Sequence, residues 1–374
     1  MRITVPPALT ASHLRHAEDA GPAWVAALPA LAERFLDEWE LRPDGEPSHG
    51  IVALVLPVVR ADGTRAALKL QPVTEETAHE GLALRTWAGD GSVRLLDADP
   101  ATGTLLLERL EADRSLEAVP DVMAALEVLT ALLRRLSAHP APQPAPSRPA
   151  PGPGRPAPGR PAPGQPAPSH PVPGRPASGS TMPTDPPPPS EGDEAGSGSG
   201  AGVANPAPHG LRRLEDIARR MLAEADRAVA ELPRERDRHW LRRCAAAVAE
   251  LIPELAGGHR DRLLHWDLHY ANVLAAEREP WLAIDPKPLA GDPGFELLPA
   301  LWNRWDEAVA TGDARRAVLR RFDLMTDGLG LDRRRAAGWT LGRVLQNCLW
   351  LVREGARELD DVQLTIAEAV HTRW

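Results

Sequence analysis

The alternation of apolar and polar positions changes period several times along the chain. Residues 50–70, GIVALVLPVVRADGTRAALKL, hold two apolar runs separated by Ala61-Asp62-Gly63, and this predicts a β-hairpin. Next, TEETAHEGLALRTWAG predicts a helix with Thr74 as N-cap, Glu75 and Glu76 in its first turn and Gly89 at its stop. Residues 92–110 predict a second hairpin, with its loop at Asp97–Gly103. Upstream, Leu, Trp, Val and Phe recur at helical spacing over residues 14–40. Downstream, residues 121–138, 211–232 and 236–256 are amphipathic with a helical period. That period breaks at 263–284, where NVLAA and WLAID read as two short strands around EREP, and then resumes to the C-terminus. Near that end, LGRVLQNCLWLVREGAREL reads as a packing helix with a polar exposed side. The plan is a small β-rich part carrying one helix, followed by a helical part containing one hairpin.

Composition interrupts this plan once. From His139 to about His209 lie more than half of the 40 prolines, in a five-residue repeat (GRPAP, GRPAP, GQPAP) followed by a Gly/Ser-rich stretch. So few bulky apolar side chains cannot offset the entropy of ordering, so a disordered insert is expected over 139–209. Within it GSGSGA fits a dinucleotide-binding fingerprint, but no strand precedes it and no helix follows, which excludes that reading. Four Arg and four acids in the insert cancel, so the formal charge of −9 belongs to the remainder. An acidic chain disfavours nucleic acid as the partner and suits a cationic small molecule. Two cysteines, Cys244 and Cys348, are too few for a disulfide framework or a thiolate zinc site and are expected to be buried and reduced. No apolar run is long enough to span a membrane, and the first residues lack the apolar core of a signal peptide, so a cytoplasmic location is expected.

The chemistry-bearing residues cluster where the helical period breaks. His265, Asp267 and Asn272 form H-x-D-x-x-x-x-N, and Asp285 ends the second short strand. A loop carboxylate can accept the proton of an attacking hydroxyl. An Asn amide oxygen and a second carboxylate across a hairpin can hold Mg²⁺ between the phosphate oxygens of ATP. The rival use, His265, Asp267 and His269 as three metal ligands, would need further ligands that the sequence does not supply. Of the 43 basic residues only Lys69 and Lys287 are lysines. Lys69 closes the first hairpin, where a kinase needs a cation for the α- and β-phosphates and a helix Glu to orient it; Glu80 is the candidate and Glu76 its competitor. Lys287, two residues after Asp285, suits the γ-phosphate.

The stretch LLHWDLHYANVL…WLAIDPKPLAGDPGFEL, with LLLERL and LALRTWAG upstream, resembles the aminoglycoside and hydroxyurea phosphotransferase family, most closely its streptomycin 6-kinase branch. The resemblance covers roughly 40–138 and 210–374. It implies an α+β, two-lobed protein-kinase-like fold, with an ATP-binding lobe over 1–110 and a catalytic and substrate lobe over 111–374. It implies ATP and Mg²⁺ as cofactors, Asp267 as catalytic base, Asn272 and Asp285 as metal ligands, and Lys69 on the phosphates. It also implies an adenine-contacting hinge at residues 107–110, with Glu108 and Leu110, and a phosphate-covering turn at PSHG, with Ser48 and Gly50. Trp266 departs from the small Gly common in relatives at its position, and its indole is expected to turn towards the acceptor. Glu296 and Asp306 are the expected carboxylates for a cationic acceptor. Trp302 and Trp305, spaced i, i+3, read as core, or else as a stacking surface. The expected reaction is γ-phosphate transfer to a hydroxyl of streptomycin or a related aminoglycoside. The alternatives are a hydroxyurea or small-metabolite kinase of the same fold, and a silent nucleotide-binding scaffold.

Overall fold

A computed structural model of the chain describes residues 3–16, 21–142, 210–256, 258 and 261–374. The expected insert lies outside the described residues, apart from its first four positions. These four belong to the folded part: the His139 carbonyl accepts from Leu263 N, and Ala141 N donates to the Asp261 carbonyl. The backbone groups of 139–142 find partners on a neighbouring strand, which composition alone does not reveal.

Two helices open the chain, α1 (Pro7–His16) and α2 (Gly21–Glu38). Then come short β1 (Arg42–Pro43) and β2 (Ser48–His49), and the predicted hairpin of β3 (Leu54–Val59) and β4 (Arg65–Leu70). The hairpin turn closes on Asp62, whose side chain accepts from Thr64 N at 2.8 Å, while Gly63 takes the φ of +85° that favours glycine. Helix α3 (Glu80–Trp87), β5 (Leu95–Asp99) and β6 (Thr104–Glu108) complete a sheet of order β1-β3-β4-β6-β5, with β2 paired to β3. Helix α3 starts five residues later than Thr74 as N-cap suggested. The Thr74 hydroxyl accepts from Glu76 N and Thr77 N, so it caps a separate turn that precedes the helix.

Strand alternation divides the core. Leu54, Leu56 and Val58 of β3, Leu68 and Leu70 of β4 and Leu106 of β6 face a cluster completed by Leu9, Leu28, Ala32 and Phe35 of α1 and α2. Leu105 and Leu107 of β6 point the other way, into the large core of the helical part, with Leu84 and Trp87 of α3. Lys69 pairs in register with Leu105, so it lies on that second face.

Strand β7 (Glu111–Ser115) leaves the sheet and pairs with a second one; α4 (Val122–Leu136) follows. After the insert come β8 (Arg212–Arg213), α5 (Leu214–Glu231), α6 (Glu235–Leu251) and β9 (Arg262–Leu264). The predicted hairpin of β10 (Val273–Ala275) and β11 (Leu282–Ala283) forms the order β11-β10-β7. Strand β12 (Leu289–Gly291) lies between β8 and β9. The chain ends in α7 (Leu298–Trp302), α8 (Trp305–Ala310), α9 (Ala314–Leu329), α10 (Arg333–Arg353) and α11 (Asp361–Val370). Helix α10 corrects the sequence reading of an exposed polar side: Thr340, Arg343 and Gln346 are buried together with Trp339 and Leu345. No helix among the described residues is long and apolar enough to cross a membrane. Cys244 and Cys348 are buried free thiols, and burial raises the pKa of both.

Candidate active site

Lys69 meets two carboxylates on the face it shares with Leu105. Its Nζ donates to both Glu80 oxygens at 2.8 Å and to Asp285 Oδ1 at 2.5 Å. Glu80 is the first residue of α3, and Gln71 Nε2 donates to its Oε2 at 2.6 Å. Burial works against the charge on Lys69, but Asp285 and Glu80 overcome it and hold the ammonium above its ordinary pKa. Burial likewise opposes ionisation of Asp285, and Lys69 outweighs it, leaving that carboxyl below its usual value. Glu76, the competitor for Lys69, lies 3.7 Å from Lys287 Nζ instead.

The loop after β9 is fixed residue by residue. His265 is fully buried, and its Nε2–H donates to the Ile284 carbonyl at 2.9 Å. Burial pushes its pKa down to about 4, so the ring is neutral; its role is to tie the loop to the segment that carries Asp285. Asn272 Nδ2 donates to the Asp267 carbonyl at 2.9 Å, and Ile284 N donates to the Asn272 carbonyl at 2.9 Å. Asp267 Oδ2 lies 2.9 Å from Lys287 Nζ. Burial again opposes the lysine charge, and Asp267 and Glu76 raise its pKa against that. Asp285 itself has a φ of +59°, the kind of backbone strain that collects at functional sites.

Trp266, also in the left-handed region at φ +67°, is 1 % exposed. Its indole is turned into the core, where the guanidinium groups of Arg212 and Arg343 lie 4.4 and 4.5 Å from the ring centre and Trp350 meets it edge-on. Glu296, 2 % exposed, accepts from Trp266 N at 2.6 Å, and burial pushes its carboxyl up to about 7. The expectation that Trp266 and Glu296 present themselves to an acceptor is therefore corrected: both are enclosed, and both shape the loop that carries Asp267. Asp306 is exposed in the first turn of α8, and no contact joins it to Asp267. Trp302 is 44 % exposed, against the core reading, whereas Trp305 is half-buried against the core.

The junction from β6 to β7 is Arg109-Leu110. The Glu108 side chain accepts from Arg94 N at 2.7 Å and pairs with Arg278, from the β10–β11 turn, at 2.7 Å. Arg278 also donates to the Gly89 and Ser92 carbonyls, so the EREP tip clamps this junction from below. A cavity of about 700 Å³ beside it is lined by Ser48, Glu108 and Leu110 among others. Gly50 sits at the start of the β2–β3 turn, where Gly50 N donates to the Ala53 carbonyl at 3.0 Å. The sequence reading missed Arg212, Arg343 and Arg278. For Arg343 there was a signal: it stands four residues after Trp339 and seven before Trp350, on a face with helical spacing.

A lysine gripped by a helix glutamate, facing a loop Asp–Asn pair and a second Asp on an adjoining hairpin, defines a kinase-type phosphotransferase. More narrowly, the chain belongs to the aminoglycoside/hydroxyurea antibiotic resistance kinase family, whose model matches residues 38–151 and 201–355. It is 48 % identical to a streptomycin 6-kinase of Streptomyces glaucescens over 98 % of this chain and 97 % of that protein. It is 46 % identical to a streptomycin 6-kinase of Streptomyces griseus, over the same shares. A hydroxyurea phosphotransferase of Kitasatospora aureofaciens is 43 % identical over 98 % of this chain and 86 % of that protein. The chain is thus a phosphotransferase with an alcohol group as acceptor.

Proposed function

We propose that this enzyme transfers the γ-phosphoryl group of ATP to a hydroxyl of streptomycin or a closely related aminoglycoside, and so inactivates it. One observation carries the reading: Lys69, held by Glu80, touches Asp285, while Asp267 on the adjoining loop is bound to that segment through Asn272 and His265. Nucleotide phosphates, a metal ion and an acceptor hydroxyl thereby share one locus. The likeness to two streptomycin 6-kinases over nearly the full chain supports the acceptor class, and the charge of −9 suits a guanidinium-bearing molecule.

In this mechanism Asp267 accepts the acceptor's hydroxyl proton as the oxygen attacks the γ-phosphorus. Lys69 holds the α- and β-phosphates, and Lys287 neutralises charge on the transferred group. Asn272 and Asp285 fit Mg²⁺: they offer hard oxygens, the Asn272 amide N–H is already committed to the Asp267 carbonyl, which leaves its oxygen as the donor atom, and the Asp285 side chain is 43 % exposed. Bound there, the ion would supply charge neutralisation for the transferring phosphate. Among the described residues no group of three or more His, Cys, Asp or Glu could hold a metal ion, which leaves the three-ligand reading of His265, Asp267 and His269 without support. The backbone of residues 107–110, with Leu110, would face adenine, and the Glu108 carboxylate would hold the junction. Ser48 and Gly50 would cover the phosphates. We place the lobe boundary at Leu110, and the enzyme in the cytoplasm, where ATP is available.

The test is mass spectrometry of streptomycin incubated with ATP, Mg²⁺ and either wild type or Asp267→Ala, beside drug susceptibility of cells expressing each. A product heavier by one phosphoryl group with wild type alone supports the proposal. Phosphorylation of hydroxyurea but not streptomycin would transfer the assignment to the other named relative's acceptor. Nucleotide binding without any transfer would leave the silent scaffold.

A further inference from the structure

The phosphate-covering turn PSHG ends at Gly50 and runs on into residues 51–53, where two apolar residues follow, Ile51 and Val52, of which Ile51 is 66 % exposed. A turn that follows phosphate oxygens with backbone N–H groups needs a fixed peptide orientation, and glycine alone does not supply it. Here a side chain from elsewhere does. His13 of α1 is 2 % exposed, and its Nε2–H donates to the Val52 carbonyl at 3.0 Å across 39 residues. The ring packs on Trp24 of α2, with ring centres 4.8 Å apart. Helix α1 is itself immobilised, because Leu9 and Ile3 are buried in the same cluster as Leu54, Leu56 and Val58 of β3. In a planar trans peptide the C=O and N–H point in opposite directions. Holding the Val52 carbonyl towards α1 therefore aims the Ala53 N–H away from it.

We propose that α1 and α2, which lie before the segment matched by the family model except for the last residue of α2, are part of the nucleotide site, with His13 as the residue that positions its phosphate-covering turn. This rests on the phosphotransfer reading. His13 touches neither nucleotide nor acceptor. It acts through the turn, so its loss weakens binding of ATP and leaves the acceptor's affinity alone.

The test compares His13→Gln, which keeps a donor at similar reach, with His13→Met, which keeps the volume without a donor. In steady-state assays of the full chain, His13→Met raises the KM for ATP about 3- to 10-fold, the scale of one hydrogen bond. The KM for streptomycin stays within about 2-fold of wild type, and His13→Gln recovers most of the loss. Hydrogen exchange, read without nucleotide, is faster at Gly50, whose N–H donates to the Ala53 carbonyl, in His13→Met and unchanged in β4. Equal KM values for ATP in both variants and wild type would overturn the proposal, as would parallel rises in the two KM values. If wild type transfers no phosphate, the phosphotransfer reading fails and the nucleotide role of His13 falls with it. The exchange data then still decide separately whether His13 restrains the turn.

Discussion

Trp266 occupies a backbone conformation that a bulky side chain adopts at a cost of roughly 1–2 kcal/mol. Burial of the indole, its two guanidinium contacts and the bond from the Trp266 backbone N–H to Glu296 offset that cost. Trp266→Gly should relieve the backbone and empty the core, so the melting temperature falls by the equivalent of about 3 kcal/mol or more. Turnover at low temperature should stay within about tenfold, because glycine keeps the loop's shape and Asp267 its place. Lys287 sits between Asp267 and Glu76 with Arg212 on its carbonyl, where a second planar fork would crowd existing cations. Lys287→Ala should lower kcat about 10- to 100-fold, and Lys287→Arg should not restore it; full turnover in the Arg variant would refute the point-charge argument. Glu296 supplies a pH dependence. Its folded pKa of about 7 lies above the ordinary glutamate value of 4.5, so the folded state holds the proton more tightly than the unfolded one. Its contribution to stability is complete below about pH 4.5 and lost as pH rises to about 7. The melting temperature of Glu296→Gln relative to wild type should therefore rise across that window and level off above it. At this scale the sequence was legible where partners are close along the chain: His265, Asp267, Asn272, Asp285 and Lys287 fall within 23 positions. Arg212 of β8 and Arg343 of α10 reach the same loop from distant parts of the chain, and no local pattern announces that.

Strand alternation explains the elements. In β4 the apolar residues Leu68 and Leu70 bind the sheet to α1 and α2, and that alone turns Lys69 towards Glu80. The same logic made all three hairpins readable, since their turns and periods are local. The start of α3 was not, because Thr74 satisfies a cap geometry that serves a lone turn equally well. The polar side of α10 was misjudged because a buried Arg among Trp266, Phe295 and Trp350 has the letters of a solvated one. The Lys69–Glu80 pair, 6 % and 1 % exposed in their side chains, yields an element-level prediction. Lys69→Met strands a buried carboxylate and should cost about 3–5 kcal/mol of stability as well as activity. Lys69→Met combined with Glu80→Leu should recover most of the melting temperature and none of the turnover. If the double variant melts as low as the single one, the sheet and α3 are held together by something other than charge.

At the scale of the whole molecule, the insert interrupts one small sheet rather than a lobe boundary. Pro140 bridges to Arg262 on one edge of β9, β9 pairs with β12, and β12 pairs with Arg212 of β8. The chain thus leaves and re-enters across about three strand spacings, roughly 14 Å. An extended linker of about eight residues reaches ~26 Å and can span that gap with slack. Residues 143–209 hold no residue that the proposed chemistry uses, and beyond Ala and Pro their composition offers only Val172, Met182 and Val203 as apolar side chains. Replacing them with eight Gly and Ser residues should leave kcat and both KM values within about twofold. Closing a shorter loop costs less entropy, so stability should rise, by up to about 2 kcal/mol in the logarithmic limit. Urea unfolding of the two chains measures that difference directly, and the midpoint should move upward with an unchanged slope. A fall in kcat with unchanged stability would instead assign the Pro-rich segment a part in catalysis. A fall in stability would show that it contributes contacts which its composition does not predict.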